Sequence, residues 1–445
     1  MVKIKKTINQ KTWQKALLCG VTGILVSINS HAGFPPDFDD DNFDELSDLQ
    51  NETGQTVLTV CRQLRPTSSA GMDLQEQCGK MVGSASDVED GEGDVTALGS
   101  DLQNTATEEM GTPSRISMST LSGQVAAVNT HLFDIHKISQ SVGGGGGDDD
   151  DGSLLANRLS IFVNAIGGIG DIKSSARENA SDFYSAGIVM GLDYRFTNNF
   201  VSGLVFGYSH LDSDFQQNTN VSGGGLESDL YNLSIFASYD LANFYIDGTF
   251  TYGWSDYDME RGVKIIASDT NRTAKADMDG EQYSAGLGFG YNYNYAAFSI
   301  NPYFRVDYYH STIDSYMETG AIGLNLAVDK QKFDSLQTLL GVQLAYAFSH
   351  SYGVFIPQFN VGWHHEIMND SRAITAQFAV PDAQNLNNNT LTAFTDTPDR
   401  DYATLGFGFS NVFQAGVQVF FNYQALLAYN NVNSHGFTGG VRFEF

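Results

Sequence analysis

Few residues of this chain are placed for chemistry, and the clearest of them are Cys61 and Cys78. Each sits in a helix-like stretch, "LSDLQNETGQTVLTVCRQL" and "MDLQEQCGKMVG", and the turn-forming text "RPTSSAG" folds one stretch back on the other. The chemistry such a pair can do is oxidation. A Cys61–Cys78 disulfide would close a loop of about 17 residues and stabilise the hairpin by roughly 3 kcal/mol in the chain-entropy description. His364 and Glu366 in "GWHHE" share one face of a strand and could offer an imidazole and a carboxylate to a metal ion, but two ligands do not make a site, and His365 points to the other face. Ser434 and His435 are adjacent in a turn, with the same limit. The run Asp148–Asp151 lacks the shaped ligand spacing of a Ca²⁺ loop and reads as a solvated linker. The chain has no G-x-S-x-G elbow, P-loop or H-E-x-x-H. Catalysis, a bound metal and a cofactor are not expected.

The elements around these residues fall into distinct regions. Residues 1–32 read as a signal peptide: basic "MVKIKKTINQKTWQK", a short apolar run, and small residues at Ser30 and Ala32. Its removal takes five lysines and no acid, leaving a net charge of about −33 against the formal −28 of the full chain. That balance excludes nucleic acid as an electrostatic partner. It also leaves Cys61 and Cys78 as an even pair in an exported chain, the setting in which disulfides form. Residues 33–142 form a short helix-rich region that opens on the acidic, Pro-containing "FPPDFDDDNFDE", read as disordered. Leu121, Val125, Val128, Leu132 and Ile135 recur at helical spacing near its end. A region of this size with so few aliphatics does not build a large core by itself. Residues 143–153 are a Gly/Asp-rich linker.

From about residue 154 to 445 the text alternates with period 2. "QYSAGLGFGYNYNY" sets Tyr283, Leu287, Phe289, Tyr291 and Tyr293 against Gln282, Ser284, Gly286, Gly288, Gly290 and Asn292. "FQAGVQVFFNYQ" sets Phe413, Val417, Val419 and Phe421 against Gln414, Gly416, Gln418 and Asn422. About twelve such segments follow one another, joined alternately by short turns and by long polar connections near 167–182, 211–226, 258–279, 311–332 and 367–398. Many run ten residues or more, the length of a tilted membrane-spanning strand. In lipid every backbone polar group must be paired, and strands achieve that only in a closed sheet. The expected fold is therefore all-β: a closed antiparallel transmembrane barrel of about 12 strands. Gly286, Gly288, Gly290, Gln414, Gln418, Arg442 and Glu444 are expected in the lumen, and Phe437, Val441, Phe443 and Phe445 toward lipid.

This region resembles the C-terminal translocator domain of the autotransporters (type V secretion), in "SAGIVMGLDYRFTNNFVSGLVFGYSHLDSDF", "LYNLSIFASYDLANFYIDGTFTYGWSDYDMERGV", "RDYATLGFGFS" and the closing "GFTGGVRFEF". The resemblance implies a Gram-negative outer-membrane barrel that carries its own N-terminal passenger to the cell surface. It implies contact with outer-membrane lipid and lipopolysaccharide, the barrel-assembly machinery and periplasmic chaperones as partners, and a monomer. It makes Val441, Phe443 and Phe445 the outer-membrane sorting signal, and Ile116–Gln140 the helix held in the lumen. Two departures stand out: the passenger is short and helix-like, and a Gly/Asp stretch separates the linker helix from the first strand. The Gly-Asp-Ser motif of the family's lipase passengers is absent. A pore or structural barrel whose N-terminal segment stays periplasmic or plugs the lumen is the alternative.

Overall fold

Twelve long strands close into one antiparallel barrel. They are β1 (Leu159–Ile172), β2 (Ser181–Thr197), β3 (Phe200–Phe215), β4 (Gly224–Leu241), β5 (Phe244–Ile265), β6 (Thr270–Tyr291), β7 (Phe298–Ile313), β8 (Gln331–Tyr346), β9 (Gly353–Glu366), β10 (Asp401–Phe413), β11 (Val417–Leu427) and β12 (Val432–Glu444). Each pairs with its neighbours in sequence, and β12 returns to β1 from Ser160↔Glu444 to Ile172↔Val432, so the barrel has no open edge. The computed structural model describes residues 36–38, 41–141, 158–175, 177–216, 223–413 and 416–445. The leader, the 143–153 linker and Gln414 lie outside the described residues.

The outward faces carry exposed apolar side chains in a continuous belt, among them Leu192, Leu204, Phe250, Leu287, Phe289 and Phe443. On a water-soluble protein that surface would be a liability; on a barrel in lipid it is the solvent match. The upper limit of the belt is legible in β3–β5. Tyr208, Tyr231 and Trp254 lie in cross-strand register with ring centroids 5.2 and 5.9 Å apart. Two residues further along each strand, the outward positions become His210, Asp229 and Asp256. An aromatic girdle giving way to charge marks the level where hydrocarbon ends.

Above that level the strands continue. The sequence reading assigned 258–279 to a long loop; instead β5 and β6, 22 residues each, stay paired up to Ile265↔Thr270. The period-2 alternation of Tyr257, Met259, Val263 and Ile265 against Asp258, Glu260 and Lys264 had not ended; only the outward residues had turned polar. Two of the long connections contribute Tyr316–Met317, Leu326–Val328, Ala373–Phe378 and Thr390–Phe394 to a second, four-stranded sheet.

Among the described residues four α-helices precede the barrel: α1 (Asp48–Gln63), α2 (Ser69–Glu89), α3 (Val95–Gln103) and α4 (Thr112–Ser141). Ser47 and Gln50 form a reciprocal capping box that starts α1. Ser68 caps α2 and Asp94 caps α3. Cys61 and Cys78 are joined, tying α1 to α2. α1–α3 form a cap over the long-connection end of the barrel. Val57, Val60, Leu64, Leu74 and Met81 share one core with Tyr257, Met259, Val263 and Ile265 of β5 and with Phe378 and Leu391 of the second sheet. The N-terminal region thus completes its small core with apolar side chains supplied by the barrel's own extensions. Its acidic start is also structured where described, against the expectation of disorder: Phe38, Phe43 and Leu46 are buried against Ala85, Leu98 and Leu102.

Candidate functional site: the occupied barrel lumen

α4 runs down the barrel axis. Its Leu121, Val125, Val128, Leu132 and Ile135 are all buried, as their spacing predicts. Val128, Leu132 and Ile135 pack on Phe162 of β1, Val189 of β2, Val201 and Val205 of β3 and Phe236 of β4. Leu121 and Val125 pack on Tyr309 and Phe333, across the lumen on β7 and β8. A polar lumen was expected; this wall is instead dry and apolar where the helix leans on it. The signal was present in "YSAGIVMGLDYRF", where Val189 interrupts an otherwise polar or glycine face.

Two histidines fasten the helix to the wall. His131 Nε2 lies 2.9 Å from Asp193 of β2 while its ring stacks on Phe162 at 3.9 Å. His136 reaches Asp240 through Nδ1 and Asp247 through Nε2, each at 3.1 Å, and stacks on Tyr245 at 3.8 Å. Asp240 and Asp247 flank the short β4–β5 turn, so α4 ends among the short turns and begins among the long connections. Ser238 Oγ is also 3.4 Å from His136 Nε2, which superficially orders a hydroxyl, an imidazole and a carboxylate. Both ring nitrogens already face carboxylates, so neither is left to accept a serine proton. His364 bonds Thr404 at 3.1 Å and stacks on Tyr402; His365, on the opposite face, bonds Asp401 at 2.9 Å. His435 sits within β12, not in a turn, and meets the Tyr423 hydroxyl at 2.8 Å. Among the described residues no group of three His, Cys, Asp or Glu is placed to hold a metal ion.

The lumen residues named from sequence have specific neighbours. A Cβ at Gly286 would collide with Asp307 and Arg305, and one at Gly290 with the Tyr245 ring; at Gly288 it would press on Arg305 at 3.0 Å. The glycines of β6 therefore make room for two large lumen side chains on adjacent strands, a close-approach role. Gln418 and Arg442 are buried, and Arg442 pairs with Glu444 at 3.0 Å. Phe443 and Phe445 project to the lipid side, and Val441, half-buried, precedes them on the same face of β12. Opposite the apolar wall the helix leaves a cavity of ≈ 920 Å³, lined by Gln337, Gln343, Gln358, Asn360, Tyr402 and Asn422 among others.

Where α4 emerges, Glu108 and Glu109 are enclosed between the cap and the β1–β2 connection. Burial pushes Glu108 up to about 8, helped by the charges of Glu109 and Glu178 and opposed by Gln103. Burial raises Glu109 to about 7, against the pull of Arg261 and Asn179. Both groups hold protons that the unfolded chain gives up above its ordinary carboxyl range. The contribution of these two groups to cap stability is therefore full below about pH 4.5 and falls as pH rises through 7–8, by up to roughly 1.4 kcal/mol per pH unit for each group. Thermal melts of the cap at pH 5 and 8.5 are expected to show this loss, and Glu108→Gln to flatten it. An unchanged slope in the variant would refute the assignment.

The lumen helix, the short and long connections and the closed sheet are the features by which relatives can be judged. The family model described as Autotransporter beta-domain matches residues 161–424, more than half of the chain. This chain belongs to the autotransporters. The autotransporter fold is also that of the translocator domain of NalP from Neisseria meningitidis, which it matches with a TM-score of 0.50 and 14% identity over 72% of this chain and 97% of that one. In sequence this autotransporter is 25% identical to the esterases named EstA of Pseudomonas aeruginosa and Pseudomonas putida over 248 residues, 53% of its own length. It spans 35% of the length of those curated relatives.

Proposed function

We propose that this autotransporter displays its own N-terminal cap, residues 36–111, on the outer face of a Gram-negative outer membrane, with α4 as the tether left in the lumen after export. The observation that carries this reading is the direction of α4. Its N-terminal end joins the cap at the long-connection mouth, and its C-terminal turn is fastened beside the β4–β5 short turn. In barrels of this class short turns are periplasmic and long loops external. A periplasmic plug would place the cap at the other mouth. The leader and the general secretory route, lipopolysaccharide contact, assembly by the barrel machinery with periplasmic chaperones, a monomeric state and the sorting role of Val441, Phe443 and Phe445 belong to the same proposal. So does a non-enzymatic cap, since the esterase in the name EstA belongs to proteins of which this chain covers only a part.

The test is an epitope inserted after Glu92, in the exposed turn between α2 and α3. Antibody is expected to label intact cells as strongly as permeabilised ones. Labelling only after permeabilisation would overturn the display reading in favour of a periplasmic segment. The same cells, assayed for short-chain ester hydrolysis, are expected to match the empty strain; activity above it would refute the non-enzymatic part.

A further inference from the structure

In a closed barrel the pairing of the last strand with the first carries the largest loop-closure cost, because it spans the whole barrel sequence. Here the seam is also poor in side chains. Asn164 faces Gly440, Ala165 faces Gly439, Gly167 faces Phe437, Gly168 faces Gly436 and Gly170 faces Ser434. Cross-strand side-chain pairs are what stabilise neighbouring strands beyond their backbone bonds, and a glycine contributes none. In the stretch from Asn164 to Gly170, then, five of the seven β1–β12 pairs lack a side chain on at least one strand, and the middle of the seam leans on its backbone ladder.

Both ends are different: near the long connections Asn433 Nδ2 of β12 donates to Asp171 of β1 at 3.0 Å, and at the other end the lumen helix takes part. Arg442 of β12 donates from Nε to Ser160 Oγ of β1 at 2.7 Å, and Ser160 Oγ donates to Asp193 Oδ2 of β2 at 2.7 Å. The same Asp193 oxygen meets His131 Nε2 of α4 at 2.9 Å, and Arg442 Nη2 lies 3.6 Å from the other Asp193 oxygen. All four residues are buried. The His131 ring covers Phe162, two residues along β1 from Ser160, and a Cβ at Gly191 of β2 would collide with that phenyl ring from its other side. The network therefore joins β12, β1, β2 and the lumen helix, and the helix supplies both a polar partner and an apolar lid.

From this we infer that α4 is part of the barrel's closure: through His131 it holds the β1–β12 seam shut, so that seating of the helix and lateral closure of the barrel are one linked equilibrium. A barrel whose lumen is still empty has Phe162, Val189, Val201, Val205 and Phe236 facing water on the β1–β4 side, and Asp193 and Arg442 without the imidazole. Its seam opens more readily. When the helix seats, that wall is covered and the seam tightens. The other histidine clamp, His136 with Asp240 and Asp247, holds the same helix but touches neither β1 nor β12. It is the internal control.

The measurement is amide hydrogen exchange of the full-length protein in detergent micelles, followed segment by segment. In His131→Ala, amides in 160–166 and 438–444 are expected to exchange roughly tenfold faster, the loss of about one charge-assisted hydrogen bond. Amides in the β5–β6 pairing are expected to keep their wild-type rates. In His136→Ala the C-terminal turns of α4 are expected to exchange faster while the seam is unchanged. Wild-type seam rates in His131→Ala, or acceleration spread equally over all strands, would overturn the inference. If His131→Ala does not accumulate, Val163→Cys with Val441→Cys places a disulfide across directly opposed seam residues on the lipid side. The oxidised pair is expected to restore assembled His131→Ala barrel, and failure to restore it would count against the inference equally.

Discussion

Deleting Phe445 is expected to remove most of the heat-modifiable barrel from the outer membrane. The residue has two attributes that could matter. Its backbone forms the last rung of the seam: the Phe445 amide donates to the Leu159 carbonyl at 2.8 Å, and its carbonyl accepts from the Leu159 amide at 3.4 Å. Its ring projects 60% exposed on the lipid side, in line with Phe443, where the sorting proposal has it recognised during assembly. Phe445→Ala separates the two. It keeps the rung and loses the ring. Under the sorting proposal it accumulates as poorly as the deletion; if only the rung matters, it assembles like the wild type. Normal abundance of the deletion variant would dismiss both roles.

The second large effect is expected in the cap. Arg261 of β5 is 2% exposed, and its guanidinium forks onto Glu318 at 2.8 and 2.7 Å while donating to the Asn104 carbonyl at 2.9 Å. Glu318 is equally enclosed and also accepts from the Leu326 amide. One ion pair thus joins the barrel extension, the second sheet and the end of α3. Arg261→Met strands the Glu318 carboxylate in a dry interior, at a cost of about 3–5 kcal/mol. Arg261→Met with Glu318→Leu removes both charges and is expected to recover most of that loss, because well-packed apolar replacements of a buried pair are often near neutral. Proteolytic susceptibility of residues 36–111 in folded barrels measures the difference. Equal susceptibility of the single and double variants would show that the pair is not what holds the cap.

The barrel was legible in sequence because every second side chain of a membrane-spanning strand faces lipid and must be apolar there. Tyr283, Leu287 and Phe289 against Ser284, Gly286 and Gly288 fix a face assignment almost unaided. The helix α4 was legible for a related reason, since Leu121 to Ile135 keep one apolar stripe; its place in the lumen came only from the resemblance to the autotransporters. What the helix leans on was not legible. Val189 is a single apolar residue on a face otherwise polar or glycine, Val201 and Val205 alternate with glycines on theirs, and only the arrival of α4 gives them a purpose. The reach of β5 and β6 above the membrane was hidden by a change of solvent, because outward Asp256 and Asp258 look like loop text when water replaces lipid. The compactness of residues 36–111 was hidden as well. Half of its core belongs to strands two hundred residues later, and no local pattern announces a shared interior.

The position of the two histidine clamps has a mechanical meaning. In a cap displayed as proposed, any pull that reaches α4 acts as tension on a rod whose fixings, His131 and His136, lie toward its far end. The load reaches them parallel to the barrel axis, so the contacts of the whole helix are sheared together and cannot be peeled one after another. Shear of that kind resists far more force than peeling of the same bonds. If the cap is displayed as proposed, force on it is expected to unfold it above the membrane before the lumen helix is drawn out.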